Sequence, residues 1–144
     1  MRVVVQRVLN ASVAVDHHIV GKIDQGYLLL IGISVKDDEK IAIKMAEKIH
    51  NLRIFEDENE KMNLSLNQIN GSILAISQFT LYGDTKGNNR PSFIEAARPE
   101  QANPLYEILI QELGKHHHVE KGVFGAHMEI NSINDGPVTI VIEM

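Results

Sequence analysis

The chain has 144 residues, 44% hydrophobic and 23% charged, proportions that suit one globular domain, residues 1–144, around one core. It contains no cysteine, which excludes a disulfide framework, a thiolate nucleophile and a cysteine zinc site. Its formal net charge of −5 at pH 7 excludes a general nucleic-acid coat, so contact with RNA would need a local basic patch and matched shape.

Met1–Arg7 meets charge too early for a signal peptide. No run approaches the roughly 18 apolar residues of a membrane span, so a cytoplasmic protein without a membrane partner is expected. Arg2 to Val15 is rich in valine with a pause at Asn10-Ala11, and reads as one bent strand or two short ones. Asp16-His17-His18 turns into a return strand, Ile19 to Ile23. Tyr27 to Ile33 is continuously apolar, the pattern of a buried central strand. Asp37-Asp38-Glu39 then opens a helix with an apolar stripe at Ile41, Met45, Ile49 and Leu52, widened by Ala42 and Ala46. Its His50 reads as a packed or capping residue.

Glu56 to Asn63 is polar and acidic but lacks the glycine and spacing of a calcium loop, and reads as solvated. Asn70-Gly71 signals a hairpin before the buried strand Ser72–Ile76. A second helix is expected over Pro99–Leu113, with Gly114 as its stop. Pro104 leaves two starts open: a cap at Asn103, or an earlier turn kinked at the proline. One more strand is expected within Val119–Ile133, and Val138 to Glu143 closes the chain. Six to eight strands and two helices predict an α+β domain: a curved, barrel-like mixed or antiparallel sheet with both helices packed on it.

Two stretches invite a chemical reading. Ser77-Gln78-Phe79-Thr80 ends an apolar strand, and its two hydroxyls and amide could orient a carbonyl or a water. Strand alternation would place Ser77 and Phe79 on one side, Gln78 and Thr80 on the other. Asn134-Asp135-Gly136-Pro137-Val138-Thr139 is either a turn feeding a strand or a ligand contact. The second reading rests on the missing Cβ of Gly136 and on a Gly-Pro bond for which cis costs only about 0.5–1 kcal/mol. Lys86 and Arg90 flank Gly87, Asn88 and Asn89 in a basic loop suited to phosphate. His116-His117-His118 reads as a solvated loop in preference to a metal site. His127 falls in an expected strand, facing either core or cleft.

Taken together, Ser77–Leu81 and Asn134–Thr139 resemble the two signature motifs of the D-aminoacyl-tRNA deacylases. Asn51–Phe55, Lys61–Ser65, Leu81–Lys86, Arg90–Phe93 and Phe124–Ala126 resemble family segments at matching spacing, nearly end to end. The resemblance implies a homodimeric hydrolase, needing no cofactor or metal. It would cleave the ester between a D-amino acid, or glycine, and the 3′-terminal adenosine of tRNA. It implies a cis Gly136-Pro137 pair that enters the partner subunit's site and holds the substrate's α-amino group, so that an L side chain meets a backbone wall. Lys86 and Arg90 would touch the RNA.

Catalysis would lie beside Ser77, Gln78, Phe79 and Thr80. Either Thr80 attacks, or the RNA's 2′-OH assists a water while main-chain N–H groups near Phe79 and Thr80 hold the oxyanion. The lack of an evident acid–base pair favours the second scheme. Family members often carry a second lysine and a glycine where Gly87 and Asn88 stand, and an acidic residue in place of His127. A non-catalytic nucleic-acid-binding dimer of the same fold is the rival from another class, and a histidine metallohydrolase is a third.

Overall fold

β1 (Arg2–Val15) is the spine of the sheet. The computed structural model describes residues 1–144. Following β1 are β2 (His18–Ile23), β3 (Gly26–Gly32), α1 (Glu39–His50), β4 (Phe55–Glu56), β5 (Met62–Leu64) and β6 (Ser72–Ser77). After a 3-10 turn (Phe79–Tyr82) come α2 (Pro99–Gly114), β7 (Val119–Lys121) and β8 (Glu129–Glu143).

On one edge, β1 pairs antiparallel with β3 through its first half and with β2 through its second. On the other edge β8 runs antiparallel along most of its length. β6 lies parallel to β3, and β7 parallel to β6, so the sheet is mixed. The expected pause at Asn10-Ala11 coincides with a register shift between Val8 and Asn10. An extra residue there reverses which face later side chains point to. Val3 and Val5 accordingly face the main core, while Val8, Ala11 and Val13 join a second cluster with Ile23, Leu28, Leu74 and Ile76. The bend curls the sheet until β2 meets β7 and the barrel is nearly closed. Gly21 permits that approach, since a Cβ there would sit 3.0 Å from the Lys121 carbonyl oxygen.

The helices cover the main core. Asp38 caps α1 by accepting from the Ile41 N–H at 2.9 Å, and Ala42, Met45, Ala46 and Ile49 are buried. α2 begins at Pro99, with Arg98 at the N-cap position but making no side-chain cap, and carries Pro104 in its interior. The longer of the two possible starts is therefore the one adopted. The acidic loop is organised around Asp57 by its own main chain. The Lys61 and Asn59 main-chain N–H groups donate to Asp57 and hold its carboxyl below the usual range.

Four local expectations are corrected. Asn70-Gly71 is a turn but joins no hairpin, because β6 pairs with β3 and not with β5. The closing strand starts at Glu129 and runs through Gly136-Pro137 as one element. His127 lies in the loop before it and not in a strand. The triple-histidine run is not wholly solvated either: His117 is buried against α1, its Nε2 2.9 Å from Nδ1 of His50, whose ring also stacks on His116 at 4.1 Å.

One proton fits between the His50 and His117 nitrogens; a second would set N–H against N–H. Burial, then the neighbouring His50 and His116, lowers the His117 pKa to about 4. Burial and His116 lower that of His50. A histidine held below its unfolded value of 6.5 binds its proton more readily when unfolded, so stability falls as pH drops from about 6.5 towards 4. In urea titrations between pH 7 and 5 the unfolding midpoint is expected to fall in the native chain and to fall less in His117→Asn. Parallel curves would show that the pair contributes nothing.

Candidate active site

Ser77 ends β6, and the Gln78 N–H makes a last bond across the sheet, to the Ile31 carbonyl at 2.7 Å. β7 spans only Val119–Lys121, so no neighbour on that side draws the chain onward as a strand. It bends into the 3-10 turn instead. Arg2 secures the turn: its Nη1 donates to the Leu81 carbonyl at 2.5 Å and its guanidinium lies 4.9 Å over the Tyr82 ring. Burial, and after it the charge of Asp37, pushes the Tyr82 pKa up to about 12, so this phenol stays neutral.

The turn forms one wall of a cleft of about 580 Å³. Ile31, Ile76, Phe79, Phe93, Phe124 and Met128 supply apolar surface, and Phe79 meets Phe93 edge to face at 5.0 Å. Phe79 remains 57% exposed, an unusual state for a phenylalanine held in such a stack. Ser77 and Gln78 both line the cleft. Strand alternation had separated them, and the bend at Gln78 is what brings them together.

Thr80 does not line the cleft but is tied to it, since Gln78 Nε2 donates to Thr80 Oγ1 at 2.5 Å. No group accepts the Thr80 proton, and no carboxylate lies among the lining residues. The Phe79 and Thr80 main-chain N–H groups open the turn and have no main-chain acceptor. This is an apolar recess lined by one amide, the Ser77 hydroxyl and the His127 imidazole, beside the main-chain donors of the turn. Such a site can orient a carbonyl and steady negative charge; His127 also lines it, in the loop before β8, and no hydrogen bond from another side chain orients its ring. Nowhere are three or more His, Asp or Glu side chains arranged to hold a metal ion.

Lys86 and Arg90 sit outside the cleft. The Asp84 and Ser92 main chains bond reciprocally at 2.8 Å, closing a loop with both cations on its exposed far side. Sequence reasoning missed the lining contributed by the start of α2, including Ala97, Arg98 and Ala102. A helix start carries no chemical signature, and the Arg-Pro pair was the only mark of it.

The second motif lies apart from this chain's own cleft. β8 pairs Thr139 with Gln6 and Asn134 with Val8, so the four residues between bulge out opposite Arg7 alone. Within the bulge the Gly136–Pro137 peptide is cis and Gly136 has φ of 132°, a region open to glycine. Both residues are exposed. Behind them Arg7 is 4% exposed. Its Nε donates to the Asp135 carbonyl at 3.0 Å and its Nη1 to the Ile54 carbonyl at 2.8 Å. The Asp135 carboxylate at 3.4 Å and that of Glu56 at 3.7 Å balance its charge. Asn134 Oδ1 accepts from the Val138 N–H at 2.9 Å and closes the bulge on itself.

The family described as D-Tyr-tRNA(Tyr) deacylase matches residues 4–143. A protein of Bacillus cereus (strain B4264) named D-aminoacyl-tRNA deacylase is 55% identical over 144 residues, covering 99% of each chain. One of the same name from Halalkalibacterium halodurans is 55% identical over 146 residues, again covering 99% of each. A solved structure named c-Myc DNA Unwinding Element Binding Protein superposes with TM-score 0.94 at 40% identity, covering 100% of this chain and 99% of that one. A second, titled as a probable eukaryotic D-amino acid tRNA deacylase, shares the fold with TM-score 0.83 at 18% identity, over 99% and 98% of the two chains.

The Arg7 cluster sets a stability test. Removing a buried cation while its acceptors stay in place costs about 3–5 kcal/mol. Arg7→Ala is therefore expected to lower the unfolding free energy from urea titration by that amount and to loosen the bulge, seen as faster amide exchange at Val138. A loss below about 1 kcal/mol, the size of a surface pair, would show that the guanidinium is not what holds it.

Proposed function

The chain belongs to the D-Tyr-tRNA(Tyr) deacylase family, and on that premise we propose that it is a hydrolase of D-aminoacyl-tRNA. Water would cleave the ester to the 3′-terminal adenosine, releasing free D-amino acid and tRNA, with glycyl-tRNA as a second substrate. The observation that carries the reading is the pairing of an open apolar cleft, free of carboxylates, with an exposed Gly-Pro bulge braced from behind yet lying outside that cleft. A loop held this firmly, with no task at its own site, fits insertion into the cleft of a second copy. The functional unit on this reading is a homodimer.

Main-chain oxygens of the bulge would fix the substrate's α-amino group. With ester and amine both held, chirality alone decides where the side chain points. An L side chain runs into backbone and a D side chain into open space, which explains tolerance of many D side chains without a pocket for any. For the chemical step, Thr80 accepts a hydrogen bond from Gln78 and has no base to take its proton. Attack by water, assisted by the terminal ribose 2′-OH and steadied by the Phe79 and Thr80 N–H groups, fits these contacts better.

A second reading has one specific observation in its favour: the superposable structure at 40% identity is named for binding a DNA element. On that reading the chain would hold nucleic acid without hydrolysing it. Matched D- and L-aminoacyl-tRNA pairs separate the two. The D ester is expected to be cleaved with kcat/KM about 100-fold or more above its L partner, a difference of roughly 3 kcal/mol. Binding of both without cleavage supports the second reading, and equal cleavage defeats selection by chirality. In a companion measurement, a terminal 2′-deoxyadenosine is expected to slow hydrolysis far more than Thr80→Ala does; the reverse order would make Thr80 the nucleophile.

A further inference from the structure

The cleft carries a charge pattern opposite to that of the whole chain. Against a net charge of −5, its lining holds no carboxylate, and the only ionisable residues in it are Arg98 and His127. Arg98 is the one permanent charge of the two. Its main chain is fixed: the Ala97 N–H donates to the Ile33 carbonyl at 2.8 Å, and the Arg98 carbonyl accepts from the Gln101 and Ala102 N–H groups at 3.0 and 2.8 Å. Its guanidinium, by contrast, is exposed and meets no acceptor or carboxylate of the protein. Arg2, Arg7 and Arg53 are each engaged by protein oxygens. Arg90 is free as well but lies away from the cleft.

A cation on an anchored main chain with idle donors, on the wall of an apolar recess free of carboxylates, matches a ligand with an apolar body and one adjoining anion. The 3′ end of an RNA has that form, a terminal nucleoside preceded by a phosphodiester. We propose that Arg98 is the phosphate-binding residue of this cleft, gripping the phosphodiester on the 5′ side of the terminal adenosine. The assignment rests on the deacylase reading above and adds a subsite to it. Guanidinium geometry suits two phosphate oxygens at once, which an ammonium cannot match. Arg98 thereby sets how deeply the adenosine seats and takes no part in bond cleavage.

Two substrates test it: D-aminoacyl-tRNA, and the D-aminoacyl ester of free adenosine, which has no phosphate. In Arg98→Ala the ratio of kcat/KM for the tRNA ester to that for the nucleoside ester is expected to fall about tenfold, through KM, with Arg98→Lys in between. The slope of log(1/KM) for the tRNA ester against log salt should weaken by about 0.7, the loss of one contact to a single strand. A ratio left unchanged, whether both esters lose activity together or neither does, overturns the proposal. If the native chain cleaves neither ester, the deacylase reading itself fails. If it cleaves both and only the ratio fails to respond, the Arg98 subsite alone is wrong.

Discussion

A guanidinium almost sealed from water is the constraint from which the rest of the architecture follows. Arg7 stands on β1 where the register with β8 breaks, and a buried cation has to be met by oxygen from whatever surrounds it. Ile54 supplies a carbonyl from the segment after α1, and Asp135 supplies a carbonyl and a carboxylate from β8. Three distant parts of the chain are thereby held at one point. Gly136 and Pro137 ride on the outer side of that junction, so their main chain is set from below and not by contacts of their own.

Arg2, at the other end of the same half-strand, performs a comparable task for the other motif. Its hydrogen bond to Leu81 and its position over Tyr82 secure the turn that starts at Phe79. One strand therefore places both signatures, each through an arginine. They are held on separate parts of the surface, the first on the wall of the cleft and the second outside it. The cleft holds no carboxylate in a chain rich in them, and Phe79 stays exposed beside it. A cleft free of carboxylates suits a ligand that carries its own negative charge.

Much of this was legible in the residues. The valine-rich first strand, the pause that bends it, the capped first helix and the buried central strand all follow from local pattern, because side-chain period and capping chemistry act within a few residues. Both motifs were visible as strings, and Ser77, Gln78 and Phe79 do line the cleft. Less legible was which strand neighbours which. Asn70-Gly71 looked like a hairpin, yet β6 finds its partner in β3, more than 40 residues earlier in the chain.

Composition and local pattern by themselves determined a cysteine-free α+β domain, its two helices and its two motifs. Tertiary packing alone decided that Ser77 and Gln78 face one recess, that His117 is buried against His50, and that Arg98 joins the cleft while Lys86 and Arg90 do not. Side-chain environment is set by chain segments far apart in sequence. A histidine run or an Arg-Pro pair reads the same whether the fold leaves it in water or closes another element over it, since burial and electrostatics depend on distance in space.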